Sequence, residues 1–183
     1  LFGPSVGKEL RNNAFLAVLI AGICMLVYIR FRFRQWRFGG AALLGVLHDV
    51  LIVIAFYAIF NITINNPFIA GILTVVGYSI NDTIVVFDRI RENTHTHKRT
   101  DTFADLANAS IQQSFHRSLY TLSTVLFACV SLYVFGGDTT KNFALCMIIG
   151  VVSGAYSSIC VATSLWAIWK SRNKNDARNQ QTA

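Results

Sequence analysis

The chain has 183 residues, of which 54% are hydrophobic and only 14% charged, against about a quarter charged in a soluble domain. Its mean hydropathy is +0.48 and its apolar residues come in long blocks, which excludes an ordinary soluble domain and marks a membrane protein. The net charge of +7 sets topology rather than binding nucleic acid, because the basic residues sit between the apolar blocks.

Residues 1–11 read as a polar, extracytoplasmic lead-in with no secretory signal and no initiator Met, as expected for a fragment or one region of a longer protein. The transmembrane domain is expected over 12–170, with five spans at about 12–29, 38–60, 67–87, 118–137 and 143–169. The first, at 18 residues, is short; the other four are long enough, at 1.5 Å per residue, to cross a hydrocarbon core of roughly 30 Å. Polar turns at 61–66 and 136–142 force antiparallel neighbours. A cytoplasmic loop at 88–117 should hold an interfacial helix, with Thr102 and Asp105 as its capping box. Residues 171–183 form a polar cytoplasmic tail.

Thirteen of the 16 Lys and Arg residues then fall on one side of the membrane and three on the other. The positive-inside rule places the start of the chain outside and its end in the cytoplasm. Cys24, Cys129, Cys146 and Cys160 all lie inside apolar blocks without metal-ligand spacing. They read as small buried side chains. His95 and His97 read as solvated loop residues, and nothing calls for a cofactor.

The third span carries one acid, Asp82, among 21 residues from Pro67 to Phe87. A carboxylate at that depth costs about 2.5–3.5 kcal/mol on insertion scales and is functional by default. Thr74, Tyr78, Ser79 and Asp82 share a polar stripe bordered by Asn81. A ridge of Ile72, Val76, Ile80 and Ile84 is expected to face lipid. Arg117 opens the fourth span, and Thr121, Thr124, Ala128 and Ser131 continue its face. Two roles are open to Arg117: an ionic partner of Asp82, or an anchor that snorkels to the headgroups. Parting such a pair favours proton uptake, and re-pairing favours release. In the second span Asp49 follows His48; a structural hydrogen bond and proton transfer are both open to it. Gly150 and Gly154 in the fifth span form a small face for close helix packing. No nucleophile elbow, phosphate-binding Gly loop or HExxH is present, and an enzyme is not expected.

Residues 77–93, GYSINDTIVVFDRIREN, closely resemble the signature of SecF-type members of the SecD/SecF protein-export family. VGKEL at 6–10, LHDV at 47–50, SIQQSFHRSL at 110–119 and FGG at 135–137 match other parts of the same pattern. The resemblance implies an all-α polytopic bundle, half of an RND-type (resistance-nodulation-division) assembly, without its first helix and extracytoplasmic domain. It implies a subunit of the bacterial inner membrane that couples the proton gradient to translocation or release of exported proteins. The implied partners are a SecD-like subunit or a SecD half of the same polypeptide, the Sec translocon, the unfolded translocating protein and lipid. It matches Asp82 to the family's essential aspartate, Arg117 to that aspartate's partner, and Asp49 to a further family acid. The alternatives are the membrane half of an RND transporter for small molecules or lipids, and a purely structural assembly subunit.

Overall fold

The computed structural model describes residues 12, 16–17, 19–24, 27–28, 31, 36–96 and 102–181. The expected lead-in at 1–11 lies outside them, and the expected first span at 12–29 lies only partly inside. Its described residues are helical, with Leu16, Leu19, Ile20 and Ile23 exposed.

Helices follow in the order α1 (Trp36–Ile59), α2 (Asn66–Thr96), α3 (Phe103–Phe135) and α4 (Asp138–Ser157). A π-helical turn, Ser158–Ala162, joins α4 to α5 (Thr163–Gln181). The described residues thus supply four helical rods long and apolar enough to cross a membrane: Phe38–Ile59, Asn66–Thr94, Phe103–Phe135 and Asp138–Arg172. The fold is an all-α membrane bundle.

Local chemistry explains the helix ends. Asn61 takes a left-handed φ of 50°, and the amides of Asn61 and Ile62 bond back to the carbonyls of Ala58 and Tyr57. That is a Schellman ending, which Asn tolerates better than branched residues. Asn65 caps α2 by accepting from the Phe68 amide at 3.2 Å, and Pro67 sits in a first turn that needs no amide donor. Thr102 and Asp105 close the capping box at the start of α3. No Gly or Pro interrupts residues 103–135, so the expected interfacial helix and fourth span are one rod of 33 residues. Likewise α2 runs on to Thr96, past the expected end of the third span, and α5 continues through the expected tail to Gln181.

The rods α2 and α4 form a central pair, with α1 against both on one side and α3 against both on the other. Glycines allow the central approach: a Cβ on Gly150 would overlap the Val75 side chain. One on Gly154 would stand 3.3 Å from Ser79 Cβ. This placement reverses the expectation for the aliphatic ridge of α2. Ile72, Val76 and Ile80 are buried and only Ile84 is half-buried, because a helix with neighbours on three sides packs its ridge inward.

Polar contacts pin one end of the bundle. The Tyr57 hydroxyl donates to the Asn142 carbonyl at 2.7 Å or its Oδ1 at 2.9 Å, and Asn142 Nδ2 donates to the Thr63 carbonyl at 2.9 Å. The other end carries an aromatic cluster in which Phe38 meets Phe87 and stacks on Trp166.

Candidate functional site

Among the described residues, Asp49 and Asp82 lie within the apolar spans, and serines hold both. Asp49, on α1, is fully buried at 0% exposure. Its Oδ2 accepts from Ser79 of α2 at 2.5 Å and from Ser157 of α4 at 2.7 Å. Its Oδ1 accepts from Ser153 of α4 at 2.8 Å, and His48 Nδ1 lies 3.2 Å away, a fourth bond when that nitrogen carries the proton. Four donors match the acceptor capacity of one carboxylate. Asp49 therefore ties three helices together, and Gly154 leaves room for it, since a Cβ there would come 3.6 Å from Oδ2.

Asp82, on α2, is half-buried. Its Oδ1 accepts from Ser118 of α3 at 2.6 Å and its Oδ2 from Ser158 of the π turn at 2.6 Å. Two donors use half of a carboxylate's acceptor capacity. The two acids thus differ in kind: one is sealed and saturated, the other reachable and only partly bonded.

The other residues singled out from sequence divide around this geometry. Ser79 is buried on Asp49, while Tyr78 is half-buried and Asn81 is exposed. Thr74 is exposed and gives its hydroxyl to the Ala70 carbonyl of its own helix. The polar stripe is therefore split, with Ser79 and Asp82 turned inward and Thr74 and Asn81 turned out.

Of the two roles open to Arg117, an ionic pair with Asp82 is not formed among the described residues. Arg117 is exposed and forms no ion pair among the described residues. The reason is helical phase: neighbours on an α-helix diverge by about 100°, and the neighbour that faces Asp82 is Ser118. The buried face of α3 at this level is Ser110, Ser114 and Ser118, at steps of four. Thr121 follows Arg117 on the outer face, and its hydroxyl returns to the Arg117 carbonyl at 2.8 Å. The partners of the two acids that sequence reasoning missed are Ser118, Ser153, Ser157 and Ser158. The signal for the first was the spacing Ser110–Ser114–Ser118, and for the second and third Ser153–Ser157, each a period of four inside an apolar helix. The π turn that aims Ser158 had no sequence mark.

Comparison with known proteins agrees with this architecture. Residues 1–172 match the family described as protein export membrane protein SecD/SecF, C-terminal. The chain is 46% identical over 176 residues to protein translocase subunit SecF of Alicyclobacillus acidocaldarius, covering 95% of this chain and 57% of that protein. Against protein translocase subunit SecDF of Thermus thermophilus it is 45% identical over 172 residues, covering 94% of this chain and 23% of that one. A crystal structure of SecDF in its super-membrane-facing form superposes with a TM-score of 0.85 at 42% identity, over 100% of this chain and 24% of that chain. The chain spans about half the length of the SecF proteins it matches and about a quarter of the SecDF ones. Alike in sequence from residue 1 to residue 172 and in fold throughout, the chain belongs to the SecD/SecF family of protein-export membrane proteins.

Proposed function

We propose that this chain is a membrane-embedded part of a bacterial protein-export subunit, in which proton binding at Asp82 drives the translocation or release of exported proteins. Asp82 carries the reading. It is a half-buried acid where α2, α3 and the π turn meet, held by two hydroxyls that can donate to a carboxylate or accept from a carboxylic acid. Asp49 has the opposite design, and its saturated cradle supports the structural role left open from sequence.

The partner is a SecD-like half, separate or fused, as the SecDF relatives suggest. Ala70, Thr74, Gly77 and Asn81 form an exposed line along α2 at steps of four, three and four. Small and polar residues on an outward membrane face suit a second helix better than lipid. Arg117 acts toward that partner rather than within this chain. The setting is the bacterial inner membrane, with the pinned turns outside, the basic end cytoplasmic, and the translocon and unfolded substrate approached through the complete assembly. The chain contributes no enzyme chemistry and needs no cofactor for this role.

The test is Asp82→Asn in the complete parent protein with its partner. The amide keeps shape and removes titration and an insertion cost. Normal membrane levels with proton-dependent export abolished is the expected result. Undiminished, still proton-sensitive export from the well-expressed variant would refute the assignment.

A further inference from the structure

We propose that Ser157 and Ser158 couple the two buried acids, so that a proton arriving at Asp82 changes the hydrogen bonding of Asp49. The proposal rests on the proton-binding role of Asp82 and adds the element that transmits it.

The residues form a closed ring. Ser157 donates to Asp49 and its chain neighbour Ser158 donates to Asp82. On the far side, Ser79 donates to Asp49 from α2, one helical turn before Asp82 on the same helix. Each serine has one hydroxyl proton and two acceptors. Besides Asp49 Oδ2 at 2.7 Å, Ser157 has the Gly154 carbonyl at 3.2 Å. Besides Asp82 Oδ2 at 2.6 Å, Ser158 has the Ala155 carbonyl at 3.2 Å. A charged Asp82 takes the Ser158 proton. Once protonated, the acid becomes a donor itself, and Ser158 accepts from it while giving its own proton to Ala155. The added proton stays on the carboxyl of Asp82, and the hydroxyl of Ser158 reverses.

The backbone makes this reversal more than local. Ser158 opens a π-helical turn, a wide turn that recurs at functional sites. The Thr163 hydroxyl holds the Ser158 carbonyl at 2.8 Å across that turn. A shift of Ser158 toward or away from Asp82 therefore moves the peptide it shares with Ser157. There is little slack to absorb the movement. Ser157 and Ser158 are both 0% exposed, and Gly154, one turn earlier, sits against Ser79.

The charged and titratable surroundings are few among the described residues. His48 is the ionisable group against Asp49, which otherwise meets only serines from α2 and α4. Asp82 has Tyr78 within electrostatic reach on its own helix. From α3 it meets Ser118, with Arg117 turned outward, and from the π turn it meets Ser158.

Infrared difference spectroscopy on the complete parent protein with its partner, reconstituted in lipid, reads the coupling. Asp82→Asn and Asp49→Asn assign the carboxyl bands, and the pH midpoint of the Asp82 band is then followed in two variants. Of the two acids Ser157→Ala touches only Asp49, yet it should displace the Asp82 midpoint by about half a pH unit, within the scale of one net hydrogen bond. Ser153→Ala removes a bond to the same Asp49 without touching the 157–158 peptide, and should leave the Asp82 midpoint in place. Equal displacement by both variants, or displacement by neither, overturns the coupling and leaves the role of Asp82 standing. An Asp82 band in the parent protein that ignores pH overturns both.

Discussion

The Ser118 hydroxyl stands 2.6 Å from Asp82 Oδ1, so α3 is joined to α2 through a group whose bonding changes with its protonation. Ser118→Ala breaks this link while leaving Ser158 in place. The expected result is normal insertion and a pH profile of export displaced by up to about one unit, the scale of one net hydrogen bond. An unchanged profile would show that Ser118 only packs.

Asp49 should answer to substitution as a structural knot. Asp49→Ala strips the acceptor from three serines and leaves a cavity. With buried unsatisfied hydroxyls costing about 1–3 kcal/mol each, the variant should lose several degrees or more of thermal stability in detergent. Asp49→Asn keeps the volume and one acceptor oxygen, and should lie between parent and Ala variant. Equal stability of all three would contradict the structural role of Asp49.

Two glycines offer opposite outcomes. Gly150→Leu forces a side chain into Val75 and should destabilise this bundle by about 1–3 kcal/mol or more. Nothing lies within 4 Å of a Cβ on Gly77, so Gly77→Leu should leave the bundle's melting temperature unchanged but weaken co-purification with the SecD-like half. Intact co-purification would place the partner on another face.

The turns at 61–65 and 136–137 should report the same side of the membrane, because Tyr57 and Asn142 hold those ends together. Single cysteines at Asn65 and Lys141 are expected to react with an impermeant reagent added from outside. Labelling of either from the cytoplasmic side would overturn the orientation.

Hydropathy made the rods legible, since 20 or so apolar residues have few other uses. The capping pair Thr102 and Asp105 was equally plain, being a local pattern with a local cause. Helix rotation was harder to read. Lipid and bundle interior are both apolar, so the ridge Ile72, Val76, Ile80 carries no sign saying which it meets. Charge left Arg117 open between partner and anchor, whereas the phase of three serines points to Ser118 as the residue facing Asp82. Asp82 itself was legible from cost alone, but its partners were not: a serine in a membrane helix is equally content bonding to its own backbone, as Ser123 does with the Leu119 carbonyl.

The clasp of Tyr57, Asn142 and Thr63 has a mechanical consequence. It makes a fulcrum at one end of a bundle that Asp49 also ties nearer its middle. Asp82 lies 16 residues along α2 from Asn66, about 24 Å from that fulcrum at 1.5 Å per residue. A tilt of about 5° between α2 and α4 would part their facing atoms there by roughly 2 Å, enough to break the 2.6 Å contact that Ser158 makes with the acid. Small angles at the pinned end thus become the making or breaking of one hydrogen bond at the working end.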